Sequence, residues 1–512
     1  MAAASPVVPF RAIITISAMS ATLMQALDST IANVALPYMQ GSFSTSYEEI
    51  TWVLTSYVIA AAIMTAPVGW LSARFGQKSV YLVSIIGFTI ASMACGIAGS
   101  LTQMVLYRLL QGMFGAALVP LSQATMMTIY PPERRGAAMA LWGMGVMVGP
   151  ILGPTLGGYL TDWYNWRFVF FVNVPFGIAA TVGLWLCLPG EKAQSSLRFD
   201  WFGFLTLAFG IGALQLVLDR GQVKDWFSST EVIVEAIIAA AGLYLFVVHM
   251  ITGEKPFISL ALFRDRNFTA GLVAMFSMGM VLLASSALLA PWLQELGGYP
   301  VDVAGILLAP RGVGTMLAMM IAGRIADKID PRLMIATGVV LMWWSLNRMS
   351  GWTPAVSATE LFINTVIQGF GMGFVFIPLT VVAFATLPGK LRYEGTALFS
   401  LLRNIGSALG ISVFETLLSN GERAEHAALA PFGSPLNRAL SATPAIAHHL
   451  APQTAHGAAA LNAMIDVQAQ IIAYNNDFWL MALLGLPILV LLPFMRRPGP
   501  AATAAAAHAA LD

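Results

Sequence analysis

The sequence predicts an all-α polytopic membrane protein of fourteen transmembrane helices. Three observations carry that expectation. Apolar residues make up 58% of the 512-residue chain and charged residues only 10%, whereas soluble domains carry roughly 25% charge. Fourteen apolar runs of about 20 residues, the length that crosses a bilayer core as a helix, follow one another along the chain. The first six runs share sequence landmarks with the last six. A net charge of +1 leaves no basic footprint for nucleic acid.

The runs fall near 12–36, 52–72, 80–99, 103–125, 136–160, 167–188, 201–218, 232–251, 269–292, 303–323, 333–350, 359–382, 396–419 and 477–495. The short N-terminus leads straight into the first run without a small-residue cleavage site, so a retained helix is expected rather than a signal peptide. An even number of crossings puts both termini on one side. With that side cytoplasmic, Lys and Arg favour the inner segments about three to one, as the positive-inside rule requires.

Run four reads Arg108-Leu-Leu-Gln111-Gly112-Met-Phe-Gly115, and run twelve reads Thr365-Val-Ile-Gln368-Gly369-Phe-Gly371. Run five opens on Gly136-Ala-Ala and run thirteen on Gly395-Thr-Ala. Run two leads into Gly69-Trp-Leu-Ser-Ala-Arg74-Phe-Gly76-Gln-Lys78, and run ten into Gly323-Arg324-Ile-Ala-Asp327-Lys328. All three pairs align if runs one to six repeat as nine to fourteen. The expected organisation is a six-helix half over 1–190, two inserted helices with their linkers over 191–266, and a second half over 267–498. An Ala-rich tail over 499–512 follows. Residues 420–476 are expected as a long loop on the outer side. Halves repeated in this way place a substrate path between them near the midplane.

In run five Gly145, Gly149, Gly153 and Gly157 recur every fourth residue, with Pro150, Pro154 and Gly158 beside them. Small residues let membrane helices approach closely, and prolines remove backbone donors and soften the helix. The stripe is either a face on which one helix slides against another or a fixed packing face. Ionisable groups inside spans are costly and mark function. Asp28 is the carboxylate well inside run one. It either exchanges protons between the two sides or serves as a structural hydrogen-bond partner, for instance of an arginine. Arg108 in run four either relays protons with a nearby acid or forms a fixed ion pair. Arg311 and Arg403 in the second half, with Glu415 near the outer end of run thirteen, are candidate charge partners for which structural pairing is expected. The 27 methionines suit an adaptable apolar pocket, although plain core packing is their commoner use.

These stretches also resemble a known family. Gly149-x-x-x-Gly153-Pro154-x-x-Gly157-Gly158 is similar to the antiporter motif of the major facilitator superfamily. Asp28-Ser-Thr30-Ile-Ala-Asn33-Val-Ala-Leu-Pro37 and Trp166-Arg167-Phe-Val-Phe-Phe-Val-Asn173-Val-Pro175 resemble its fourteen-helix drug:proton antiporters. Leu218-Asp219-Arg220-Gly221 with Asp225-Trp226-Phe227 resembles the EmrB subgroup of that family. The resemblance implies the major facilitator fold and a multi-pass antiporter of the bacterial inner membrane. It implies multidrug efflux and antibiotic resistance powered by the proton motive force. Hydrophobic or amphiphilic drugs and protons would be its substrates, with Asp28 and Arg108 coupling the two. Its implied partners are a periplasmic adaptor of the EmrA type and an outer-membrane channel of the TolC type. The cytoplasmic loop with Gly69, Arg74, Gly76 and Lys78 would gate the cycle. Ala73 stands where the family has an aspartate, while the second copy of the loop keeps Asp327.

No enzyme is read here. The histidines have no HExxH spacing, no Walker A loop is present, and Cys95 and Cys187 both lie in apolar runs, so neither a cofactor nor a metal nor a disulfide framework is expected. The alternative within transport is an exporter dedicated to one metabolite or siderophore, which would ignore most of a panel of unrelated dyes.

Overall fold

Each of the fourteen apolar runs is helical in the computed structural model, which describes residues 10–131, 134–190, 198–253, 256, 258–325, 329–433 and 454–496. The first six are α1 (Arg11–Phe43), the bent pair α2 (Trp52–Thr65) and α3 (Val68–Phe75), α4 (Gln77–Ile97), α5 (Leu101–Gly115) with α6 (Leu118–Ile129), α7 (Arg135–Trp163), and α8 (Phe168–Phe171) with α9 (Asn173–Cys187). Then come α10 (Trp201–Arg220) and α11 (Thr230–Thr252). The last six are α12 (Arg266–Pro291), α13 (Val301–Ile325), α14 (Pro331–Met349), α15 (Ala358–Ala385), α16 (Arg392–Leu429), and α17 (Ala455–Gly485) continued by α18 (Pro487–Leu491). Ten helices among the described residues are long and apolar enough to cross a membrane, and eleven if α2 and α3, bent by 55°, count as one. The bend falls at Pro67, which cannot donate to the helical ladder. The protein is therefore a multi-pass, all-helical membrane protein among its described residues.

The same pairings occur on both sides of the molecule. In the first group α1 packs on α7 and α9, α2 on α5, and α4 on α5. In the second, α12 packs on α16 and α17, α13 on α15, and α14 on α15. The groups meet where α7 lies along α13 and where α16 lies along α2, α3 and α6. Helices α10 and α11 pack on each other and join the bundle through α10, which touches α2 and α16. Gly210 and Gly242 set their spacing: a Cβ on Gly242 would lie 2.7 Å from the Gly210 nitrogen.

Residues 420–476 depart from the expected loop. Helix α16 runs on to Leu429 and α17 starts at Ala455. Thr454 caps α17 by accepting from Gly457 N at 3.0 Å. The two legs touch through His426, which is 3.1 Å from Asn462 Oδ1 and 3.3 Å from Asp466. These stretches are too polar to read as spans, yet they are rich in alanine, the best helix former. Residues 434–453, the tail over 499–512 and Asp327 lie outside the described residues.

The short connection from α3 to α4 turns on Gly76, whose φ of 85° and ψ of 139° lie in a region open to glycine alone. Gly76→Ala is expected to destabilise the protein by about 1–3 kcal/mol. Thermal unfolding in detergent, with Gly41→Ala as a control at an unencumbered helical glycine, measures the difference.

Candidate functional site: a buried ion pair and the cleft beside it

Helix α1 spans 33 residues with Asp28 near its middle. The Asp28 side chain is fully buried. Its Oδ2 accepts from Arg108 Nη1 at 2.7 Å, and its Oδ1 accepts from Gln111 Nε2 at 2.8 Å and Asn173 Nδ2 at 3.1 Å. The carboxylate thus has donors from α5 and α9. Arg108, 1% exposed, also donates from Nε to the Val53 carbonyl of α2 at 3.0 Å and from Nη1 to Gln111 Oε1 at 2.9 Å. Its guanidinium lies 4.2 Å from the Tyr57 ring centre and 5.7 Å from that of Phe170, where the ring faces attract a cation. Asn173 donates onward to Ser92 Oγ of α4 at 3.0 Å. A buried charge is tolerated when paired and hydrogen-bonded, and here one pair ties together α1, α2, α4, α5 and α9.

The glycine stripe of α7 braces this pair. A Cβ on Gly149 would sit 2.5 Å from Ala26, one on Gly153 would overlap the Thr30 hydroxyl, and one on Gly157 would lie 2.9 Å from Ile31. Gly145 faces Met19 at 3.3 Å and Gly158 only grazes Val34. Thr30 Oγ1 also donates to the Gly149 carbonyl at 3.3 Å. The stripe therefore faces α1, within the first group of helices, and grips it two residues before and two after Asp28. Pro154 lies on the backbone of α7.

A different face of α7 meets the second group. A Cβ on Gly323 of α13 would lie 2.5 Å from Ala140, Trp142 stacks on Phe376 with ring centres 6.1 Å apart, and Gly143 faces Met319. Between the groups is a small apolar pocket lined by Met147, Met278, Leu282, Thr315, Met319, Met372 and Phe376. Met147 comes from α7 and the rest from α12, α13 and α15. Sequence reading expected a path between halves and singled out none of these residues, because methionine spacing in a bundle is that of ordinary core.

At the end of the bundle that bears the Gly69–Lys78 connection, the groups are closed. A Cβ on Gly69 would be 2.6 Å from the Glu394 Cα. Tyr393 OH donates to Gln77 Oε1 at 2.8 Å, while Gln77 Nε2 donates to Thr125 Oγ1 at 2.6 Å. Lys78 Nζ donates to the Trp185 carbonyl at 2.7 Å, which holds α4 to α9. Arg74 lies in the last turn of α3, where a cation suits the helix dipole. Gly69, Gln77, Tyr393 and Glu394 make contacts across this closed end. The last three were missed, since their pairing spans more than 300 residues of sequence.

The second-half candidates are not brought together. Arg311 finds two serine hydroxyls and a carbonyl instead of a carboxylate. Arg403 donates to Asn404 Oδ1 at 3.4 Å. Glu415 is half-buried, within electrostatic reach of Asp219, and Asp219 itself accepts from Thr55.

A multi-pass bundle of two matched groups, with an apolar pocket between them and an ion pair sealed inside one, has the build of a membrane transporter. The chain belongs to the major facilitator superfamily, whose family model matches residues 18–411. Within it, the chain is 36% identical over 492 residues to the multidrug export protein EmrB of Escherichia coli (strain K12), covering 95% of each. It is 33% identical over 491 residues to the EmrB of Haemophilus influenzae, covering 95% of this chain and 96% of that one. These matches place it in the EmrB subgroup that its motifs resemble. The structure is also similar to that of the human organic anion transporter MFSD10, with a TM-score of 0.62 over 94% of this chain and all of that one. At 14% identity that likeness speaks for the fold alone.

Removing one partner of a buried ion pair strands the other. Arg108→Ala is expected to cost about 3–5 kcal/mol of stability. The double variant Asp28→Asn, Arg108→Gln should recover most of it, because no charge is left buried. Thermal unfolding of the three purified proteins gives the comparison.

Proposed function

We propose that the chain is a proton-coupled antiporter that exports hydrophobic and amphiphilic drugs from the cytoplasm by alternating access. The observation that carries this reading is the sealed Asp28 carboxylate, shared among Arg108, Gln111 and Asn173 at mid-helix. The similarity to multidrug export proteins over nearly their whole length supports it. The proposed topology has fourteen crossings with both termini cytoplasmic, in halves 1–190 and 267–498 around the inserted helices of 191–266. The closed end at Gly69 and Glu394 is then the cytoplasmic gate, and Arg74, Gly76, Lys78 and Asp327 belong to its loops.

In the proposed cycle a proton taken up by Asp28 cancels its charge and leaves Arg108 without a counter-ion. The network that holds α1 to α5 and α9 must then rearrange. Because α1 is braced on the stripe of α7, and α7 also lines the pocket through Met147, movement of α1 reaches the cleft. The proton site and the pocket lie on different helices apart from this link. Coupling therefore runs through the shape of the first half, and drug and proton do not compete for one group. A ligand that prefers one of two states shifts their balance only by that preference.

The inner membrane is the proposed location. The polar ends of α16 and α17 would project on its outer side, where an adaptor of the EmrA type leading to a channel of the TolC type would dock. Asp28→Asn keeps the size and an acceptor oxygen but holds no exchangeable charge. In everted vesicles it should insert normally and lose proton-driven efflux down to passive leak, while counterflow of labelled drug, which needs no gradient, persists. Undiminished uphill efflux by this variant would refute the assignment.

A further inference from the structure

The second half holds a cation that its described residues leave without a counter-charge. Arg311 is 8% exposed. Its Nη1 donates to Ser286 Oγ at 2.6 Å, and its Nη2 donates to Ser285 Oγ at 2.8 Å and to the Leu282 carbonyl at 3.0 Å. Among the described residues it forms no ion pair. A guanidinium does not shed its proton, and an unmatched charge inside a bundle is costly. In the first half Asp28 neutralises Arg108; among the described residues nothing does the same for Arg311.

The place of this charge is informative. The guanidinium lies 3.4 Å from Met372 Sδ, and Leu282 and Met372, which it touches, line the pocket between the halves. So does Thr315, one turn along α13 from Arg311, whose hydroxyl donates to the Arg311 carbonyl at 2.9 Å. One turn before Met372, on the same face of α15, is Gln368. It is fully buried, yet both its Nε2 and its Oε1 are without hydrogen-bond partners among the described residues. Buried side-chain amides are nearly always paired. The two helices touch at this level, since a Cβ on Gly369 would overlap the Arg311 carbonyl. Among the described residues, an unmatched cation thus touches the edge of an apolar pocket that both halves line, and an unpaired amide lies one helical turn from Met372 of that pocket.

We propose that Arg311, assisted by the Gln368 amide, binds the anionic headgroup of an amphiphilic substrate whose apolar body lies in the methionine-lined pocket. A carboxylate fits best, because it accepts two parallel bonds from a guanidinium and still offers a lone pair to the Gln368 NH2. The flexible thioethers around the pocket accept differently shaped bodies, so the head is recognised and the body is not. This inference rests on the transporter reading above and names the substrate class of its pocket.

The test is equilibrium dialysis with the purified full-length protein in nanodiscs and three fluorescent probes that share one ring system: 9-anthracenecarboxylate, 9-anthracenemethanol and 9-anthracenylmethylammonium. Wild type should bind the carboxylate at least about tenfold more tightly than the other two, the worth of a charge-assisted hydrogen bond. Arg311→Gln should erase that preference while leaving the alcohol's affinity unchanged, which also shows that the variant is folded. Arg311→Lys should keep part of the preference, and Gln368→Leu should lower carboxylate affinity alone. Equal affinities for the three heads in wild type, or an undiminished preference in Arg311→Gln, would overturn the proposal. Should Arg311→Gln fail to fold, the Arg311→Lys and Gln368→Leu results decide: no change in carboxylate affinity in either also overturns it. No gradient is present, so a failure of proton coupling leaves this result untouched. Intact efflux without head preference removes this inference alone.

Discussion

The ion pair between Asp28 and Arg108 is the interaction on which the first half depends. Taking two charges out of water costs several kcal/mol per ion, and attraction offsets that cost only when the geometry is close and the remaining valences are filled. Here they are filled: the two Asp28 oxygens accept three bonds, and Arg108 has a carbonyl, an amide and two aromatic faces as well as the carboxylate. Such a node fixes the relative positions of five helices in a medium where apolar packing alone discriminates poorly between registers. In the proposed cycle this node is also where a proton would act, since neutral Asp28 would leave Arg108 without its counter-ion.

Glycine supplies the complementary constraint. On one face of α7 it brings α1 close enough for backbone to touch side chain on either side of Asp28, and on another face α7 meets α13 through Gly143, Ala140 and Gly323. The same helix thus connects the ion pair with the cleft. At the closed end Gly69 does for α3 and α16 what Gly323 does for α13 and α7. This correspondence matches the landmark repeat between runs two and ten. Among the described residues the two halves differ in their polar interiors: the first encloses a matched pair, the second an arginine without a counter-charge and a glutamine amide without a partner.

Charges in apolar runs stand out, so Asp28 and Arg108 were legible in the sequence, as were the helical runs and the glycine stripe. Their partners were not. Gln111, Asn173 and Ser92 are neutral polar residues of a kind common in spans, and Asn173 lies 145 residues from Asp28. Four-residue glycine spacing announces a close approach without saying to which helix, and α1 could not be told from the opposite half. The contact between Gln77 and Tyr393 at the closed end leaves no local trace at all. The polar legs over 420–429 and 455–476 were read as loop because hydropathy reports membrane immersion and helix propensity does not depend on it.

The central claim is that the protonation of Asp28 sets which way the two halves close. Electron–electron double resonance between spin labels at the two sides of the Gly69–Glu394 contact, recorded from alkaline to acid buffer, tests it most directly. Acid should lengthen the distance in the wild type, and Asp28→Asn should hold one distribution at every pH. A wild-type distance that ignores pH, or an Asp28→Asn protein that still follows it, would contradict the claim.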